Sequence, residues 1–551
     1  MSKKIITTLM AALLLCFIES DGKGAFRLLG MESAKTRAER LFPSNWRNTQ
    51  TGNWDISFYD EFAIYDCCFW TYKQRRQKGD SYDLVLESGG REINVQVGKN
   101  KKGIRIMSID RTEGKYELIS TISLPDYPTK DTCTTFKDTG YQTDTATLVG
   151  WLKDMPEEQR ERSDKYNVCY ENIFIDDTNK RLYCHGKLDS LGRFVVKIPL
   201  INTAEVVMYS DRTLIRTVLE PGENYFLLYD FRGGHKLFMG KDVRLQNETL
   251  THPIRRAFVY SDFRKMDKDA AMAFLDSIKQ EKTDAMELLQ KTIAAHPTVS
   301  DRYIHYLTSY YNCKEGRDLM QGRFFMKDKI CPDEYLNYVN GQHWQQRTCP
   351  YTLFCDFSVF LGDFIDEHVQ KRYAVKGSDH LAYQYETDYS ILRRKRDNGE
   401  ISITDEELKV LSDYRKLEGK LLTIRTEHGL EALMKNALNP AAKAIIKKYA
   451  AVMQREDVRK ILETVNPLEP LERALAIADS LGCDKELREI LITCQLYKLL
   501  CATRRPLNQT ALQFFEQNVS MPAAKEFLYA TQEKYLELER TEISTIMEIG
   551  R

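Results

Sequence analysis

Thirteen cysteines and nine histidines give this chain its widest chemical reach. Thiol exchange and zinc binding commonly use Cys-x-x-Cys pairs, because two thiols one turn apart can swap a disulfide or share a metal. No such pair occurs anywhere in the sequence. Cys67 and Cys68 are adjacent in a strand-like run, where alternation would send them to opposite faces. Core packing is the better account of them than a redox pair. Cys349 and Cys355 are the best sequence-local candidates for a disulfide. His343 and His368 stand in helical context without a second histidine at ligand spacing, which favours surface or satisfied core positions over metal binding. The acidic pairs Asp363/Asp366 and Glu406/Glu407 read as polar helix faces or first turns, where solvation and the helix dipole account for them. There is no GxGxxG, no GxxxxGK[ST], no GxSxG, no HExxH and no calcium-loop spacing. The sequence therefore assigns no catalytic, cofactor-binding or metal-ligating residue, and no cofactor.

The elements that would position any site change character along the chain. From Trp54 to Ile122, apolar residues alternate with polar ones. Tyr82, Leu84 and Leu86 share one face, Gly89-Gly90 makes a turn, and Ile93, Val95 and Val97 follow. Such a pattern predicts an antiparallel meander with one buried face. The basic loop Lys99–Gly103 reads as a solvated hairpin tip, since no aromatic platform accompanies it. A second strand-rich unit has candidate strands at Leu148–Leu152, Asn172–Ile175, Arg181–Lys187, Phe194–Ile198, Glu205–Tyr209 and Tyr225–Tyr229. Turns at Asp189–Gly192 and Pro221-Gly222 complete the pattern of a small β-sandwich. Beyond about Arg264 the period becomes helical. Ser300 is placed to cap a helix carrying the stripe Tyr303, Ile304, Leu307, Tyr310 and Tyr311, which reads as core. Pro332-Asp333-Glu334 suits a first turn, and Thr404 with Glu407 forms a capping box. No fixed repeat appears. The expected fold class is α+β: an antiparallel β meander and a small β-sandwich, followed by an irregular all-helical domain.

The chain has 551 residues, more than one core can serve, since single cores stop growing at roughly 250–300 residues. The expected division is a signal peptide over 1–25, a β-rich domain over 26–140, a β-sandwich over 141–235 and a helical domain over 236–551, with a modest, polar interface between the β-rich and helical halves. Lys+Arg and Asp+Glu both number 80, so no overall charge draws the chain to nucleic acid or an anionic membrane. Lys3 and Lys4 precede an apolar run from Ile5 to Phe17, and the chain turns polar at Glu19. Charge, then a short apolar run, then small residues near Gly22, Gly24 and Ala25 is the layout of a secretory signal. Cys16 could carry a lipid, although Leu15 precedes it where lipoprotein signals place a small residue. No other segment is long and apolar enough for a transmembrane helix. These features predict export to the periplasm or cell envelope.

Five runs carry a resemblance: Trp54–Trp70 (WDISFYDEFAIYDCCFW), Asp144–Glu157 (DTATLVGWLKDMPE), Gly186–Leu200 (GKLDSLGRFVVKIPL), Leu219–Phe231 (LEPGENYFLLYDF) and Lys236–Glu248 (KLFMGKDVRLQNE). Together they resemble the long N-terminal region of the envelope thioredoxin-like disulfide reductases. In that family a thioredoxin domain with a Trp-Cys-x-x-Cys site follows the helical region; here no such site is present, so no catalytic residue is carried over. The resemblance implies an exported accessory or binding protein derived from the non-catalytic part of such a reductase, with an envelope protein as its expected partner. Alternatives are a truncated oxidoreductase, one that works with a thioredoxin domain from another chain, and a carbohydrate- or peptide-binding envelope module.

Overall fold

A computed structural model describes residues 41–176, 181–211, 213–252, 266–326, 329–374, 381–437 and 439–549. The signal segment 1–25, with Cys16, lies outside them, as does part of the expected boundary between the β-rich and helical regions, 253–265.

The first unit is a closed antiparallel barrel. Its strands are β1 (Ser44–Asn48), β2 (Trp54–Phe58), β3 (Phe62–Tyr65), β4 (Cys68–Lys78), β5 (Ser81–Ser88), β6 (Arg91–Val97), β7 (Ile104–Ile109) and β8 (Thr112–Leu118). The meander closes because β1 pairs with β8, Trp46 facing Leu118, which leaves no free edge. Alternate residues fill the interior, among them Trp46, Phe58, Trp70, Leu84, Leu86, Val95 and Met107. The turn at Gly89-Gly90 has positive φ at both residues and joins Ser88 directly opposite Arg91, a two-residue hairpin that glycine suits. Cys67 departs from the sequence reading. It lies in the Asp66-Cys67 turn, both residues at positive φ, and the strand resumes only at Cys68 opposite Tyr65. One cysteine is buried and its neighbour exposed because of a turn, not because of strand alternation.

Two four-stranded sheets follow, in the orders β11-β10-β13-β14 and β12-β9-β15-β16. Their strands are β9 (Asp144–Lys153), β10 (Lys165–Glu171), β11 (Arg181–Lys187), β12 (Arg193–Leu200), β13 (Ala204–Ser210), β14 (Thr213–Leu219), β15 (Asn224–Asp230) and β16 (Lys236–Gly240). Leu148, Tyr166, Val168, Phe194, Val196, Val206, Met208, Leu227 and Phe238 form one core shared by both sheets. β15 runs parallel to β9 and is buried on both faces: Tyr225 and Leu227 enter the sandwich core, while Phe226 and Leu228 meet the barrel. The strand expected at Asn172–Ile175 is a turn, in which the Asn172 side chain accepts from the Phe174 N–H at 3.0 Å. Its apolar side chains were the reason to expect a strand, and they are buried against helices instead.

The helices are α1 (Glu157–Arg162), α2 (Arg244–Thr251), α3 (Lys268–Ala295), α4 (Asp301–Gly322), α5 (Asp333–Val339), α6 (Phe357–Tyr373), α7 (Asp388–Asp397), α8 (Asp405–Ala437), α9 (Pro440–Met453), α10 (Glu456–Glu463), α11 (Glu469–Ser480), α12 (Lys485–Thr503), α13 (Gln509–Asn518) and α14 (Pro522–Ile549). The starts marked by Ser300 and Thr404 are where the sequence signals put them. The Ser300 hydroxyl accepts from the Tyr303 N–H at 3.1 Å, and Thr404 and Glu407 close a reciprocal capping box. The tyrosine stripe of α4 is core: Tyr303, Tyr306, Leu307, Tyr310 and Tyr311 are buried together with Val218 of β14 and Leu245 of α2. No described helix is long and apolar enough to cross a membrane.

The sandwich region and the helices share part of their cores. Phe174 stacks on Phe527 of α14 with ring centroids 5.6 Å apart, and lies in one cluster with residues of α4, α6 and α12. The interface expected to be modest and polar is therefore a shared apolar core crossed by ion pairs.

Candidate functional site

Thiol chemistry is the first activity to test against the geometry. The twelve described cysteines are all unpaired, Cys349 and Cys355 included. Burial pushes the Cys67 thiol up to about 12, aided by Asp66, and its Sγ faces the Asn224 and Met239 carbonyl oxygens at 3.4 and 3.3 Å. Burial and Asp484 push Cys483 up to about 12. Cys313, Cys355 and Cys494 are driven well above the ordinary thiol range by burial and by neighbouring carboxylates: Glu171 for Cys313, Glu205 for Cys355 and Asp176 for Cys494. Even the exposed Cys68 and Cys349 are raised. A nucleophilic cysteine needs the opposite, a thiolate stabilised by cations or a helix N-terminus.

The second concentration of polar groups lies between the sandwich and the helices. Glu205 of β13 accepts from the Tyr306 hydroxyl at 2.8 Å and from the Cys355 N–H at 3.3 Å. Glu171 of β10 accepts from the Ser358 hydroxyl at 2.7 Å and the Phe357 N–H at 3.2 Å. Burial and the adjacent Asp356 push the Glu171 carboxyl up to about 8. Arg181 and Arg317 both approach Asp356, at 3.3 and 3.5 Å. Deeper among the helices, Lys498 bonds Asp176 at 2.6 Å and Asp366 at 3.2 Å, and Arg323 holds Asp363 at 2.8 Å. Asp363 and Asp366 thus belong to a buried ion network, where the sequence reading had them on a solvated face. Their i,i+3 spacing is the same in either setting; only the arrival of Lys498 at Asp366 and of Arg323 and Gln321 at Asp363 distinguishes them. Every member has a partner of opposite charge or a hydrogen-bond donor, which suits a network that joins elements.

Beside α4 a cavity of about 20 Å³ is lined by Ser309, Cys313, Gly316, His343, Arg347 and Phe360. That volume accommodates a water but no organic substrate. His343 is buried, not at the surface, and its Nε2 lies 3.3 Å from Glu315 Oε2.

A third cluster unites residues far apart in sequence. Asp126 lies on the connection between β8 and β9, His252 is the C-cap of α2, and His296 is the C-cap of α3. His296 Nδ1 lies 3.0 and 2.9 Å from the two Asp126 carboxylate oxygens, and His252 Nε2 lies 3.6 Å from Asp126 Oδ1. The imidazole rings are 4.0 Å apart between centroids. One ligand atom from each residue falls within 4.8 Å of the others. Burial and the adjacent His296 lower the His252 pKa. No sequence spacing marks this cluster, because the three residues come from three separate segments and each is isolated in its own. No family model matches the chain, and the search of curated proteins found no match.

Proposed function

We propose that this chain is an exported accessory protein of the cell envelope that works by binding a protein partner, akin to the non-catalytic N-terminal region of the thioredoxin-like disulfide reductases. The observation that carries the reading is the state of the buried thiols: burial and neighbouring carboxylates raise Cys67, Cys313 and Cys355, whereas a reductase needs a stabilised thiolate. Support also comes from where the resembling runs lie. Trp54–Trp70 spans β2 and β3 and enters β4; Asp144–Glu157 contains β9; Leu219–Phe231 contains β15; and Lys236–Glu248 covers β16 and the start of α2. These are the strands that seat the barrel on the sandwich, through Trp54, Ile64, Phe226, Leu228 and Leu237. The shared features are thus those of a scaffold.

An insulin-reduction assay tests the central claim. The purified chain should not raise the rate above that of the reductant alone. Turnover that disappears on Cys68→Ser, Cys133→Ser or Cys349→Ser would replace the binding role with a catalytic one. Export is tested by the mass of the protein recovered from the cell envelope, expected to lack the segment up to about Ala25; a cytoplasmic species retaining Met1 would overturn it.

A further inference from the structure

We infer that Asp126, His252 and His296 form a site for one divalent transition-metal ion of the zinc class, and that the ion ties three parts of the fold together. Two imidazoles and a carboxylate are a donor set that zinc uses with a further position left to water. Donors about 2.0–2.1 Å from a tetrahedral ion stand roughly 3.3 Å apart. The separations from Asp126 to His296 and His252, 2.9 and 3.6 Å, bracket that spacing. One ligand atom from each group already lies within 4.8 Å of the others.

A second observation points the same way. His252 and His296 cap the C-termini of α2 and α3, so two helix ends converge on one spot. The C-terminal end of a helix carries partial negative charge and favours a cation. Arg244, a neighbouring cation, is neutralised by Glu248 at 2.9 Å and does not oppose a metal at full charge. The site is braced from behind, since the Tyr303 hydroxyl donates to the His252 carbonyl. His252 is nearly buried, whereas Asp126 and His296 are part-exposed, which leaves the ion's remaining position facing solvent. A small cleft lined by Leu124, Pro125, Tyr127, Glu248, Thr251 and Val299 adjoins it.

The origin of the ligands gives the site its role. Asp126 belongs to the connection leaving the barrel, His252 ends the helix that packs on the sandwich, and His296 ends the first long helix of the helical half. The expected effect is cross-linking of the molecule, with folding stabilised by mass action.

The test uses the full chain, stripped with a chelator and with the exposed Cys68, Cys133 and Cys349 alkylated to remove competing thiolates. Calorimetric titration with Zn²⁺ should show one saturable equivalent, and Zn²⁺ should raise Tm. Asp126→Asn and His296→Ala alter part-exposed side chains and should leave the circular dichroism unchanged. Each should weaken Zn²⁺ binding by at least about tenfold and abolish the rise in Tm. With Co²⁺ as probe, the absorption should lack thiolate charge-transfer bands. No saturable uptake, or uptake indifferent to both substitutions, would overturn the proposal and leave an ordinary His–Asp ion pair.

Discussion

Lys282 Nζ reaches Glu315 at 2.8 Å and the Tyr338 hydroxyl donates to the same carboxylate at 2.7 Å, so Glu315 is already paired when His343 approaches it. Burial, aided by Lys282, therefore lowers the His343 pKa to about 3, and burial lowers that of His368 to about 4. Both folded values lie below the unfolded value near 6.5. Between them the unfolded chain binds more protons, so this stability is present above about pH 6.5 and is lost as pH falls toward 3. For His343 the loss at pH 5 is about 2 kcal/mol. Denaturant titrations at pH 7 and pH 5 should show it, and His343→Gln should flatten the pH dependence whatever it does to stability at pH 7. An unchanged slope would mean that the histidine is already charged in the folded state.

At the scale of elements, the sandwich depends on one close approach. Gly150 of β9 stands opposite Phe194 of β12, and a Cβ at Gly150 would lie 2.1 Å from the Phe194 ring. The ring uses that space and stacks on Tyr166 of the facing sheet, with centroids 4.1 Å apart. Gly150→Ala should push Phe194 out of the stack and cost about 1–3 kcal/mol, as overpacking in a dense core does. Chemical denaturation would measure this; a neutral result would mean that the two sheets can separate without loss. The hairpins are more local. Gly89-Gly90 announces its turn because glycine reaches positive φ at little cost, whereas Asp66-Cys67 makes a similar turn with residues that give no such signal.

At the scale of the whole molecule, the sandwich and the helices are joined by apolar clusters that draw on both. Phe174 leaves the sandwich to pack among helices, Val218 and Leu245 join the tyrosine stripe of α4, and Arg302 of α4 forms a buried pair with Glu220. A single unfolding transition should cover both, and limited proteolysis should not release a stable sandwich fragment. Phe174→Ala, which opens a cavity at that junction, should cost about 3–5 kcal/mol and shift sheet and helix signals together. Two transitions, with only the β-sheet signal shifted, would show that the halves fold independently.

Local physics left its marks in the sequence. Alternation marked the barrel and most sandwich strands, glycine pairs marked turns, and Ser300, Thr404 and Pro332 marked helix starts, because each of these depends on neighbours a few residues away. What depends on distant partners was decided by the tertiary structure. Period-2 alternation is the same in an open meander and a closed barrel, so closure waited on β1 meeting β8. Asp363 and Asp366 look solvated until α12 brings Lys498 to Asp366 and the turn after α4 brings Arg323 to Asp363. Asp126, His252 and His296 acquire a common chemistry only where a loop and two helix ends converge, and no spacing within one segment encodes that convergence.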